Sequence, residues 1–423
     1  MNINTLSEVL QEAEIKASVD ELQPHFERAY EDYRPKAELR GFRKGKVPLG
    51  MIKKIYGEAI EYQSLDDVAG ELYRQAMAER NIHPIGKPSV TDMDFKRGEH
   101  FRFKIQYEVK PVIELKKYKG IAVEKPVHRV TDAEIESEVA HLRKINSSTT
   151  DVGSVTDSFH IVTGDIQELD ETGTPLIGKK TPNTRFDLSD DSLVKEIKDA
   201  LSHAEVGGAY RATFESRHGD HAHPMHVAIS VSKVEKVNLP VFDDALVKKV
   251  TSDKVATAEE FLQKLRADLT QYWEEQAERS VADGIAATLV KDHDFAIPES
   301  IVNSLLDAFV DDVRSRSGGK KLPQQFDEEK FRNDSREYAT WQAKWMLLKE
   351  QIAEAENITV TPEDIDGLAE TESARTGIEK SRLLEYYKNS GAATERILSD
   401  KIMLFLRNNA KVKEKVVEEP SQK

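Results

Sequence analysis

From Phe261 to Leu289 an apolar residue returns at every fourth position: Phe261, Leu265, Leu269, Trp273, Ala277, Val281, Ile285 and Leu289. This spacing belongs to an α-helix, where residues four apart are surface neighbours. A turn takes 3.6 residues, so a strict spacing of four makes the stripe drift around the helix axis. Long helices of this kind cannot bury every stripe in one core. The chain has 423 residues, and single cores stop growing at roughly 250–300, so two to four domains are expected. Aromatic residues are only 7% and charged residues 32%, which argues against one dense core and for an elongated, multidomain α+β chain.

There is no cysteine, which removes disulfides and thiolate metal sites as sources of stability and suits a reducing compartment. The N-terminus, MNINTLSEVLQEAEIKASVDE, lacks the basic start and apolar run of a signal peptide. No stretch approaches the ~18 apolar residues of a membrane span. A soluble, cytoplasmic protein without membrane partners is expected. The net charge of −15 disfavours a general nucleic-acid binder. Locally the sign reverses: Arg34, Lys36, Arg40, Arg43, Lys44, Lys46, Lys53 and Lys54 crowd one segment with a single acid, Glu38. A small anionic docking site on a partner would suit it.

Four regions follow along the chain. Residues 1–115 read as a small α+β unit. Asp20 is expected to cap a helix carrying Leu22, Phe26 and Tyr30. A second helix starts near Pro48, with Ile52, Ile55, Tyr56 and Ala59 on one face. FRFKIQYEV alternates apolar Phe101, Phe103, Ile105 and Tyr107, the mark of a half-buried strand. Residues 116–150 hold an extended linker and a helix opened by the Thr131/Glu134 capping pair, with a boundary at Asn146–Val155. Residues 151–237 show strand-like runs at His160–Thr163, Tyr210–Phe214 and His226–Val231 around a helix with Leu193, Val194, Ile197 and Leu201: a small sheet packed on a helix. Residues 238–423 read as all-helical, broken at Gly318–Pro323, with helices near Tyr338–Ile352 and Leu383–Leu406 and a frayed KVKEKVVEEPSQK tail.

The most informative segment is Gly41-Phe42-Arg43-Lys44-Gly45-Lys46-Val47-Pro48, between two helices. Its glycines permit positive φ and close approach to a partner. Arg43 can fork onto phosphate or carboxylate and the lysines act as point charges, while Phe42 can fill an apolar recess. Composition alone favours the plainer reading, a solvated turn with Phe42 packed inward.

GFRKGKVP resembles the ribosome-docking signature of the trigger factor family. The resemblance continues through MIKKIYG, RNIHPIGKPSV (80–90), KYKGIAVEKPVHRVTDAEIESEVAHLRK, DHDFAIPESIVNSLL (292–306) and Tyr386–Lys415. It covers nearly the whole chain. It implies a chaperone that docks on the large ribosomal subunit near the exit tunnel, against a ribosomal protein and ribosomal RNA, and that shields nascent polypeptides and assists their folding or export. Gly41, Phe42, Arg43, Lys44, Gly45, Lys46 and Pro48 would carry the docking, and 238–423 would form helical arms around a client cradle. Monomer or weak homodimer is expected. No phosphate-loop pattern GxxxxGK[ST] occurs, so client release should need no ATP, and no cofactor is expected.

The resemblance makes the middle domain an FKBP-type peptidyl-prolyl isomerase, an activity that lowers the ~18–20 kcal/mol barrier to amide rotation inside an apolar aromatic pocket. Here the pocket chemistry departs from the family. Val194-Lys195-Glu196-Ile197 replaces its Ile-Pro-Gly-Phe turn, Val162, Leu176 and Val227 stand for pocket aromatics, and Asp220 stands for a loop tyrosine. Only Phe186 and Phe214 remain as pocket candidates, so weak or absent isomerisation is expected. RHGDHAHPMH offers His218, Asp220, His221, His223 and His226 as metal ligands, but Pro224 keeps ligands off a shared helical face and a solvated loop is the expectation. The alternatives to a ribosome-bound chaperone are a dedicated isomerase and a ribosome-independent holdase.

Overall fold

The computed structural model describes residues 1–218, 221–319, 321–323 and 325–417. The chain divides into two compact units, one of Met1–Lys125 with Glu278–Lys415 and one of Pro126–Ala277 with Val416 and Val417.

The first unit begins with strands β1 (Asn2–Thr5) and β2 (Leu10–Ser18), helices α1 (Val19–Tyr33) and α2 (Leu49–Glu79), and strands β3 (Ile85–Lys96) and β4 (His100–Glu108). They form an antiparallel sheet in the order β1-β2-β4-β3. Alternation on β4 turns Phe101, Phe103, Ile105 and Tyr107 to one buried face. Leu65, Val68, Ala69, Tyr73 and Met77 of α2, at helical spacing, cover it. Truncating Phe103 to Ala would cost about 3–5 kcal/mol. The cap of α1 is Ser18 and not Asp20: Ser18 Oγ accepts from Glu21 N–H, and Glu21 accepts from Ser18 N–H at 2.7 Å. Asp20 lies in the first turn, where its charge suits the helix dipole.

The second unit takes in the end of β5 (Ala122–His128) and α3 (Asp132–Ile145), capped by Thr131 and Glu134. Its sheet contains β6 (Ser148–Val152), β7 (His160–Leu169) and β8 (Pro175–Asp187), then, after helix α4 (Lys195–Leu201), β9 (Ala209–His218) and β10 (His221–Asn238). The long β10 pairs with β7 along one edge, and with β9 and then β6 along the other. β8 lies outside β7. Two expectations change here: Ser148–Val152 is a paired strand within the sheet, and Pro175–Asp187 is a strand that mixed charge, Gly178 and Pro182 had hidden. Val162, Phe186, Ile197, Leu201, Ile229 and Val234 form the core between sheet and α4. Helix α5 (Asp244–Thr251) is capped by Asp243.

Helices α6 (Ala258–Asp292), α7 (Glu299–Arg316), α8 (Glu328–Glu356), α9 (Pro362–Thr376), α10 (Lys380–Lys388) and α11 (Gly391–Asn408) follow. The drifting stripe of α6 is only part-buried at Phe261, Leu265 and Leu269. It is fully buried at Val281, Ile285 and Leu289, against Leu348 and Ile352 of α8 and Ile402 and Leu406 of α11. Small Ala339 and Ala343 on α8 admit Val302 and Leu306 of α7. The single helix expected over Leu383–Leu406 is two, because Ser390 caps α11 through the Ala393 N–H. The C-terminal region is not all-helical. Lys411–Val417 forms β11 beside β5, where frayed chain was expected. Lys411 N–H donates to Ile121 O at 2.7 Å and Lys415 pairs with Glu124 at 3.0 Å. Among the described residues no helix is long and apolar enough to cross a membrane.

Candidate functional site

After α1, a short 3-10 turn (Arg34–Lys36) leads into the Gly/Lys loop. The loop stands on two fully buried feet, Ala37 and Val47, packed with Tyr30, Ile52 and Ile60. Gly45 N–H donates to Ala37 O at 3.2 Å and closes the neck. Inside it, Phe42 N–H donates to Leu39 O and Lys46 N–H to Arg43 O, both at 2.9 Å. Gly41 and Gly45 adopt φ of 96° and 77°, values that strain any residue with a Cβ. A Cβ on Gly45 would also sit 3.3 Å from Pro35 O. Tyr56 Oη donates to Glu38 O at 2.8 Å and tethers the loop to α2.

With its backbone fixed this way, the loop holds the Phe42 ring outward, 43% exposed; Val47 is the residue that packs inward. Met51 and Ile55 of α2 are exposed too. The face expected to run through Ile52, Ile55, Tyr56 and Ala59 is displaced: the buried line is Ile52, Gly57, Ile60 and Glu61, with Ile55 and Ala59 outside. Three of the eight cations are paired internally: Arg34 with Glu31, Lys44 with Glu38 at 2.8 Å, and Lys53 with Glu27. Lys44 holds the Glu38 carboxyl below its ordinary value, and Glu38 in turn raises Lys44. Lys36, Arg40, Arg43, Lys46 and Lys54 have no carboxylate partner among the described residues. Beneath the loop, buried Glu61 accepts from Arg97 at 2.8 and 2.9 Å and from Tyr30 Oη. Burial, then Glu61, pushes the Tyr30 phenol up to about 12. An exposed aromatic ring set among unpaired cations on a rigid base can dock on a protein surface with anionic surroundings.

Residues 1–142 match the family described as bacterial trigger factor protein (TF), and residues 257–408 match its C-terminus. The trigger factor of Salinibacter ruber is 30% identical over 442 residues, covering 99% of this chain and 95% of the relative. That of Chloroherpeton thalassium is 31% identical and covers 96% of each. The chain belongs to the trigger factor family. A solved trigger factor chaperone shares the fold, with a TM-score of 0.50 at 19% identity over 96% of this chain and 99% of that one. Its function is accordingly that of a ribosome-associated chaperone which receives nascent chains.

Elsewhere in the chain, Val162, Val227 and Phe186 lie in one buried core with Phe214 packed against it. Leu176 is exposed on β8 and does not join them. Asp220 lies outside the described residues. The described histidines of the tract lie on strand and not loop: His218 and His221 are backbone partners in the β9–β10 ladder, and His223 pairs in register with Ser216. Pro224 is tolerated because β10 is paired on one edge only at that point. His226 Nδ1 lies 2.9 Å from Thr213 Oγ1. Trp341 and Trp345 are part-buried against the α6–α8–α11 core, and Phe309 packs on that of α7 and α8. Sequence periodicity gave no sign of a cavity of about 650 Å³ between α8 and α11, bordered by Met346, Ala353, Leu398 and Ile402. Cavities depend on how faces meet, which periodicity does not encode.

Proposed function

We propose that Gly41, Phe42, Arg43, Lys44, Gly45, Lys46 and Pro48 dock this chaperone on the large ribosomal subunit near the tunnel exit. Phe42 enters an apolar recess on a ribosomal protein, and the unpaired cations face ribosomal RNA phosphates. The carrying observation is the outward Phe42 ring on a loop whose feet, Ala37 and Val47, are buried. Exposed Met51 and Ile55 extend the apolar contact. Residues 1–115 serve as the docking domain, 116–150 as linker and first arm segment, 151–237 as the FKBP-like domain and 238–423 as the client-binding domain. Clients are held on apolar helix surface and leave without ATP, in the cytoplasm, with the chaperone as monomer or weak homodimer. Promiscuous substrate recognition in folding and assembly, described for the solved trigger factor chaperone, agrees with that use.

The test is co-sedimentation with large ribosomal subunits. The Phe42→Ala/Arg43→Ala/Lys44→Ala chain should lose binding while its thermal transition stays in place. Equal binding by the triple variant would remove the loop from the docking role. If the unaltered chain fails to bind, a ribosome-free holdase becomes the better account. For the 151–237 domain we propose a binding arm with weak or no isomerase activity, because Val162 and Val227 fill the core where aromatics would line a pocket.

A further inference from the structure

The lining of the cavity between α8 and α11 carries one amine, Lys349, among apolar Met346, Ala353, Leu398 and Ile402 and polar residues that include Glu350, Glu354, Glu395 and Ser399. Lys349 is half-buried there. Its Nζ lies 2.9 Å from Ser399 Oγ and 5.8 Å from the centroid of the Trp345 ring. Burial holds this amine below the ordinary lysine value, against the opposing charges of Glu395 and Asp400 on α11. On α8, Glu350 and Glu354 border the cavity, and Glu350 is drawn to Lys110 at 2.5 Å. A desolvated lysine spends more of its time as free base, the form that attacks carbonyl carbon. The surrounding carboxylates repel anionic reagents such as acyl phosphates, whereas the apolar walls favour neutral ones.

We infer that Lys349 is a modification site that condenses with small, neutral, apolar aldehydes held in the α8–α11 cavity. The Nζ lone pair attacks the aldehyde carbon while the carbonyl π pair moves to oxygen. One proton passes from nitrogen to that oxygen, giving a carbinolamine. A proton from solvent converts the hydroxyl to water, which leaves as the nitrogen lone pair forms the C=N bond. The iminium then returns its remaining N–H proton to solvent to give the imine. The imine takes up water to reverse the step. Occupation would fill the apolar space and remove the hydrogen bond to Ser399, which couples the modification to the helix surfaces of this unit.

The test treats the full chain at pH 7 with hexanal and cyanoborohydride, which traps the imine as a secondary amine, and maps modified lysines by mass spectrometry over time. Lys349 should be labelled about tenfold faster than the exposed Lys54 and Lys264, since the cavity holds aldehyde beside the amine. Its rate should reach its plateau at lower pH than theirs. Glyoxylate, an anionic aldehyde, should abolish the preference. Lys349→Arg should lose the fast site and leave the other lysines unchanged, with the same circular-dichroism spectrum. Labelling of Lys349 no faster than Lys54, or an equal preference with glyoxylate, would overturn the inference.

Discussion

Glu38 and Lys44 face each other across the neck of the loop between Ala37 and Val47, their charged atoms 2.8 Å apart, while the intervening Phe42 ring points to solvent. Of the loop's cations, Lys44 is therefore already engaged before a partner arrives. Arg43, with no carboxylate partner among the described residues, keeps its whole fork free.

Releasing Lys44 should change how the loop responds to salt. Glu38→Gln frees one charge, so ribosome binding should tighten at low salt. If Lys44 then meets a phosphate, the slope of log affinity against log salt should steepen by about 0.7–0.9. The thermal transition should not move, because exposed ion pairs contribute little to stability. Co-sedimentation across a salt series measures the slope. An unchanged slope would mean that Lys44 meets no phosphate.

Docking and stability should separate cleanly between two neighbouring apolar residues. Ile52 is fully buried beneath the loop, so Ile52→Ala should destabilise by about 2–5 kcal/mol in urea unfolding. Phe42→Ala should stay within about 0.5 kcal/mol, since exposed positions away from caps and networks seldom exceed that, yet weaken ribosome binding. A large urea shift for Phe42→Ala would place the ring in the core.

Acid should weaken the first unit through Glu278. Arg407, bonded at 2.8 and 2.9 Å, and then Lys125, at 2.7 Å, pull this carboxyl down to about 2 against the opposing effect of burial. A folded value below the unfolded one contributes stability above about 4.5 and loses it as pH falls through about 2. Glu278→Gln should therefore lower the melting temperature at pH 7, and the gap from the unaltered chain should narrow below about pH 4.5 and close near pH 2. A gap independent of pH would assign the effect to packing.

A proline-peptide assay should show rates near the uncatalysed background. At the same concentration, the chain should suppress aggregation of a refolding client. Strong, dose-dependent acceleration would establish a working pocket that uses Phe186 or Phe214 in an arrangement other than the buried core.

The sequence determined what depends on neighbours along the chain. Alternation placed β4, fourfold spacing placed α6, the Thr131/Glu134 pair opened α3, and glycine with cations marked the loop between α1 and α2. Those signals are local: periodicity, capping and backbone freedom are set by residues a few positions apart. Tertiary structure decided what depends on residues far apart. Ser148–Val152 and Lys411–Val417 are short polar strands that exist because β10 and β5 offer them an edge, and their own composition resembles loop. Which face of α2 is buried at Ile52 and Ile60, with Ile55 left outside, was settled by α1 and the loop feet packing on it. The cavity around Lys349 arose the same way. It requires two helices to meet at ångström distances, and hydrophobic patterning along one segment carries no information about that meeting.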